Sequence, residues 1–178
     1  MFDKVSCSLS AAQQEVCLAI SQSGHNLNYH LCDVLEFHGE LDLSKLEQAI
    51  QVQFTETETL RTTLDIQAET GLFTQFIHAP DTQAGKKLDF HDVSISQDPE
   101  QEYERLLSNL LSQDMDLING PLARYIVVRL APSQYRIIEL ASHLVVDGWG
   151  HGILSGNIAA HYNKLCRGEA VEARNLPP

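Results

Sequence analysis

Residues 141–150 read ASHLVVDGWG and place an imidazole and a carboxylate four positions apart, His143 and Asp147, with Gly148 directly after. Imidazole exchanges a proton near neutral pH, which suits it to general-base work on an amine or a hydroxyl. Asp147 could orient that ring, or it could anchor the loop without touching the reaction. Gly148 and Gly150 allow a sharp backbone turn, and a helix beginning there would offer free N–H groups. A histidine tied down at the end of a buried strand accounts for the same residues, so the spacing alone leaves both readings open.

The flanking pattern must position the pair. ARYIVVRLA (123–131) and QYRIIELASH (134–143) read as two strands around a Pro132-Ser133 turn, so His143 ends a strand. A helix is expected from about Gly150 to Arg167, with Ile153, Leu154, Ile158 and Leu165 apolar and Gly168 as its C-cap. Upstream, Ser8 or Ser10 can cap a helix over about Ala11 to Ser21, Ser10 having capping-box spacing with Gln13, and residues 28–38 read as a strand. Leu43, Leu46, Ile50 and Phe54 give one apolar face to a second helix that Asp42 can cap. Residues 61–67 and 71–79 suggest a hairpin turning near 69–71. A polar loop follows over 80–87, a short strand over 88–94, and a helix from Asp98-Pro99 to about Asp114. Asn119-Gly120-Pro121 reads as a turn. Helices mixed with hairpins, and no repeated βαβ unit, predict an α/β chain of the α+β type: a mixed, mainly antiparallel sheet with helices packed on it.

The composition excludes several classes. The 178 residues are 43% hydrophobic and 20% charged, which suits a folded domain or one lobe of a larger one. Twelve Lys+Arg against 24 Asp+Glu leave a formal net charge of -12, which argues against nucleic acid and against docking on an anionic membrane. Cys7, Cys17, Cys32 and Cys166 form no CxxC pair and the histidines are scattered, so no zinc spacing or other metal site is expected. No signal peptide or membrane-length apolar run is present, and a cytoplasmic protein with reduced thiols is expected. Neither a dinucleotide fingerprint nor a P-loop occurs, nor a GxSxG elbow.

Four segments, in order, resemble the N-terminal half of a condensation domain of a nonribosomal peptide synthetase, within the chloramphenicol acetyltransferase-like superfamily. SHLVVDG (142–148) is similar to that family's HHxxxDG, with Ser142 at the first histidine and His143 at the second. ETETLRTTL (56–64) resembles RHExLRTxF: Glu58, Leu60, Arg61 and Thr62 are kept, while Glu56, Thr57 and Leu64 depart. LSAAQQEVCLA resembles the Ser-x-Ala-Gln start, and NGPLAR (119–124) the Gly-Pro-Leu segment before the penultimate strand. Each match is weak alone, and the four in order are far more specific.

The resemblance implies a fold and a set of roles. Residues 1–170 would form the N-terminal lobe, and residues 171–178, ending in Leu-Pro-Pro, would begin a linker to a C-terminal lobe outside this chain. His143 would be the catalytic residue of a tunnel where a donor thioester meets an acceptor amine and an amide forms. Both substrates would ride on the phosphopantetheine arms of donor and acceptor carrier domains beside an adenylation domain, with no cofactor bound directly. Asp147 would pair with Arg61 and hold the loop, Ser142 would replace the first histidine with a small hydrogen-bonding group, and Gly148 would allow close backbone approach. Trp149 is a candidate for the tunnel entrance, the ordinary reading of such a residue being a buried aromatic anchor. His151 is placed near the helix start as a minor candidate. Alone, the lobe is expected to keep its fold without turning over. A condensation-like domain that only recruits proteins, and a chloramphenicol-type acetyltransferase, are the alternatives.

Overall fold

The computed structural model describes residues 4–66, 72–80 and 87–174. The elements run β1 (Val5–Cys7), α1 (Ala11–Ser23), β2 (His30–His38), α2 (Leu43–Glu56), β3 (Thr62–Ile66), β4 (Phe73–Ile77), β5 (Asp89–Asp92), α3 (Pro99–Leu111), β6 (Ala123–Ala131), β7 (Gln134–Ser142) and α4 (Gly148–Cys166). The strands form two sheets, β1-β4-β3 and β2-β7-β6-β5. Every pairing is antiparallel except β5 with β6.

The four-stranded sheet is covered on both faces, which explains the nearly continuous apolar runs of its central strands. Along β6 and β7, Ile126, Val128, Ile138 and Leu140 pack with Cys17 and Ile20 of α1 and with Tyr103 and Leu110 of α3. Their alternates Tyr125, Val127, Ile137 and Ala141 pack with Ile50 and Phe54 of α2 and with Leu154 and Ile158 of α4. Strand period two therefore feeds two cores. Glu139 falls on the second face, inside the apolar alternation.

Local signals placed most boundaries. Ser10 and Gln13 make both bonds of the capping box, and Gly24 ends α1 in the left-handed region. Asp42 and Asp98 cap α2 and α3 with their carboxylates, the latter with a proline in the first turn. Helix α3 stops at Leu111, before the expected Asp114, and α4 starts at Gly148 because Asp147 caps it. Strand β1 was not foreseen: three residues are too few to show a period. The imperfect alternation of β2 reflects its place at the sheet edge, where Val34 and Leu35 are exposed. The expected turn at 69–71, most of the loop at 80–87 and the end of the expected linker, 175–178, lie outside the described residues.

Glu56, the last residue of α2, is buried, and Arg174 donates to its carboxylate through Nε at 3.0 Å and Nη2 at 2.9 Å. Burial opposes ionisation, but the bonds from Arg174 and His161 outweigh it and bring the carboxyl down from 4.5 to about 2. With a depressed folded value, the stabilisation is fully present above pH 4.5 and is lost as pH falls towards 2. The expected outcome is that wild type loses about 2–3 kcal/mol more than Glu56→Gln across that window. Urea unfolding of both proteins at pH 6 and near pH 2.5 measures it; parallel losses would contradict the pairing.

Candidate active site

The segment after β7 is a tight turn built on Ser142. Its N–H donates to Leu122 O at 2.8 Å, and its carbonyl accepts from Val145 N at 3.0 Å and Val146 N at 3.4 Å. Its Oγ accepts from Leu144 N at 3.3 Å, and the residue is 1% exposed. Leu144 and Val145 plug into the α1/α3 core, and Val146 packs against both cores. The apolar LVV thus holds the turn from inside and leaves His143 at the surface. The main chain of His143 is pinned by its N–H to Tyr29 O at 2.7 Å, while its imidazole makes no hydrogen bond or ion pair among the described residues.

A second support comes from α1. Gln13 accepts from Ser10 N at 2.9 Å and also donates through Nε2 to Leu144 O at 2.9 Å and to Gln75 Oε1 at 3.1 Å. The residue that closes the α1 cap therefore also holds the carbonyl next to His143. The sequence spacing showed the cap but not this contact, which spans 131 residues.

The remaining expected residues are distributed differently from the expectation. Asp147 is exposed and caps α4, its Oδ1 accepting from Gly150 N at 2.7 Å, where a helix N-terminus has free N–H groups to satisfy. Arg61 is 9% exposed and directs its guanidinium elsewhere: Nε donates to Phe54 O at 2.9 Å and Nη1 donates to His78 O. The expected Asp147–Arg61 pair is thus not formed. Each group answers a nearer backbone demand, so Arg61 ties the end of α2 to the end of β4. Burial also pulls the Arg61 pKa below its usual value.

Gly148 has open space within this chain where a side chain would stand. Gly150 is the crowded glycine, with a built Cβ 2.9 Å from Val146 Cγ2 and 3.2 Å from Asp147 Oδ1. Trp149 is 82% exposed and is not a buried anchor within this chain. It stands on the first turn of α4, one turn before exposed Ile153.

A buried polar cluster was not anticipated. His151 sits between two carboxylates, with Nδ1 2.9 Å from Asp33 Oδ2 and Nε2 3.7 Å from Glu139 Oε2. Ser155 Oγ donates to Glu139 Oε2. Glu139 is 2% exposed, and burial raises its pKa against the pull of Ser155 and His151. An acid inside the run IIELA was the one signal of it in the sequence. Among the described residues no group of side chains could hold a metal ion, and no helix is long and apolar enough to cross a membrane.

Comparison with known proteins agrees with this geometry. Residues 4–178 match the family model of the condensation domain, and the chain belongs to that family. It is 31% identical over 172 residues to a linear gramicidin synthase of Brevibacillus parabrevis, covering 95% of this chain and 2% of that protein. Chondramide synthase cmdD of Chondromyces crocatus is 29% identical over 156 residues, 86% of this chain and 4% of that protein. The first condensation domain of the calcium-dependent antibiotic synthetase, solved with substrate analogue 2a, superposes with a TM-score of 0.83 at 26% identity, over 95% of this chain and 40% of that one. The starter condensation domain of rhizomide synthetase RzmA gives a TM-score of 0.85 at 24% identity, over 97% and 41%. The chain therefore spans about two-fifths of these solved condensation domains and a few per cent of the curated synthetases. The fold is the chloramphenicol acetyltransferase-like one that the resemblance implied.

Proposed function

We propose that this chain is the N-terminal lobe of an amide-forming condensation domain and carries its catalytic histidine, His143. The observation that carries the reading is the state of that residue: an exposed imidazole, unpartnered among the described residues, on a main chain fixed by Ser142, Tyr29 and the buried Leu144 and Val145. A rigid backbone under a free ring suits a group that must meet substrate. Donor and acceptor are delivered on the phosphopantetheine arms of two carrier domains. The acceptor amine attacks the donor thioester carbonyl, the C–N bond forms, the C–S bond breaks, and the thiol leaves with a proton. His143 acts as base towards the amine or stabilises charge in the tetrahedral state. Asp147, Arg61, Ser142 and Gly150 support the turn and the neighbouring strand. Trp149 and Ile153 give α4 an apolar surface for the second lobe to cover, with Trp149 at the tunnel entrance.

Ser142 does not argue for a domain that only recruits proteins. It is buried, and its hydroxyl serves the turn, so its position supports the loop rather than the chemistry. A reducing, cytoplasmic setting fits the four free cysteines. An adenylation domain is the expected neighbour that loads the carriers.

The test is amide formation between loaded donor and acceptor carriers. The complete domain is expected to form product, and the isolated 178-residue lobe is expected to be no faster than the carriers alone. Steady turnover by the isolated lobe would contradict the reading. Gln13→Ala in the complete domain is expected to lower kcat about tenfold with KM nearly unchanged, because it frees the carbonyl beside His143 without touching substrate. Steady-state kinetics measures that split.

A further inference from the structure

Glu56 occupies a position that opposes a carboxylate twice over. It is fully buried, and it is the last residue of α2, where the helix dipole is negative. It also stands where the family motif has arginine. The chain supplies the missing cation from 118 residues away. Oε1 accepts from the main-chain N–H of Arg174 at 2.9 Å and from its Nε at 3.0 Å. Oε2 accepts from Arg174 Nη2 at 2.9 Å and faces His161 Nε2 of α4 at 3.3 Å. Both oxygens are thus occupied, and one bond grips the backbone, so the path of the chain is held and not only a side chain. Residues 171–174 belong to no helix or strand, and Arg174 itself is half-exposed.

We propose that Glu56 and Arg174 are positioning residues that latch the segment after α4 onto the C-terminal end of α2, fixing where the chain leaves the lobe. In a complete condensation domain, on the reading given above, the latch sets the point from which the second lobe departs and so the width of the cleft over His143.

Amide hydrogen exchange of the 178-residue chain tests the latch without any reaction. The Arg174 N–H is expected to exchange at least about tenfold more slowly than an unstructured amide. Arg174→Ala strands the buried Glu56 carboxylate and lowers global stability, and it is expected to bring that amide close to the unstructured rate while the β7 amides stay strongly protected. Arg174→Lys is expected to fall between, since it keeps a charge but loses the two-point grip. A wild-type amide already exchanging at the unstructured rate, or no effect of Arg174→Ala, would overturn the latch. In the complete domain Arg174→Ala is expected to lower the amide-forming rate several-fold and Arg174→Lys to restore most of it. An unchanged rate would overturn the positioning role. A failure of the condensation reading would show separately, as activity insensitive to His143→Ala, and would leave the exchange result standing.

Discussion

His143→Ala in the complete condensation domain is expected to cut amide formation by about 10²–10⁴-fold, the range for removal of a positioned acid–base group. The fold should be unaffected. The ring is exposed and makes no bond among the described residues, and the turn is held by main-chain contacts and by Leu144 and Val145. The loss should therefore appear in kcat and kcat/KM together, with carrier binding and urea midpoint unchanged. A fall in stability with preserved activity per folded molecule would return His143 to a structural role.

Phe54→Ala is expected to have the largest effect on stability, about 3–5 kcal/mol by urea unfolding of the lobe. Phe54 is 0% exposed, in the core between α2, α4 and the four-stranded sheet, with its ring edge-on to Tyr125 at 6.2 Å between centroids. Its carbonyl also accepts from Arg61 Nε, so loosening this helix end disturbs the arginine that joins it to β4. A loss below about 1 kcal/mol would mean that the site collapses easily and that α2 is not fixed as described.

Features set by neighbours in sequence were legible, and those set across the chain were not. The strands of 123–143 could be read because burial on both faces leaves two mostly apolar stretches, YIVV and IIELA among them, separated by the Pro132-Ser133 turn. The capping box of α1 was visible because its two members stand three apart. The family motifs located His143 but not its surroundings. Arg61 was paired with Asp147 in expectation because opposite charges invite it, yet each had closer unsatisfied backbone groups to serve. The motif singles out Gly148, while the crowding of Gly150 against Val146 and Asp147 shows only in the packing. Glu139 and His151 stand twelve apart, and their partner Asp33 comes from an edge strand more than a hundred residues upstream. Glu56 reads in the sequence as a mere departure from a motif, because the arginine that answers it is brought beside it only by the fold.

The central claim is that His143 belongs to an amide-forming site completed by a second lobe. A single-turnover experiment with the complete domain, a loaded donor carrier and a loaded acceptor carrier, read by the intact mass of the acceptor, tests it most directly. The account predicts an acceptor heavier by the donor acyl group and a donor returned to the free thiol. An acceptor of unchanged mass while both carriers stay loaded would contradict it.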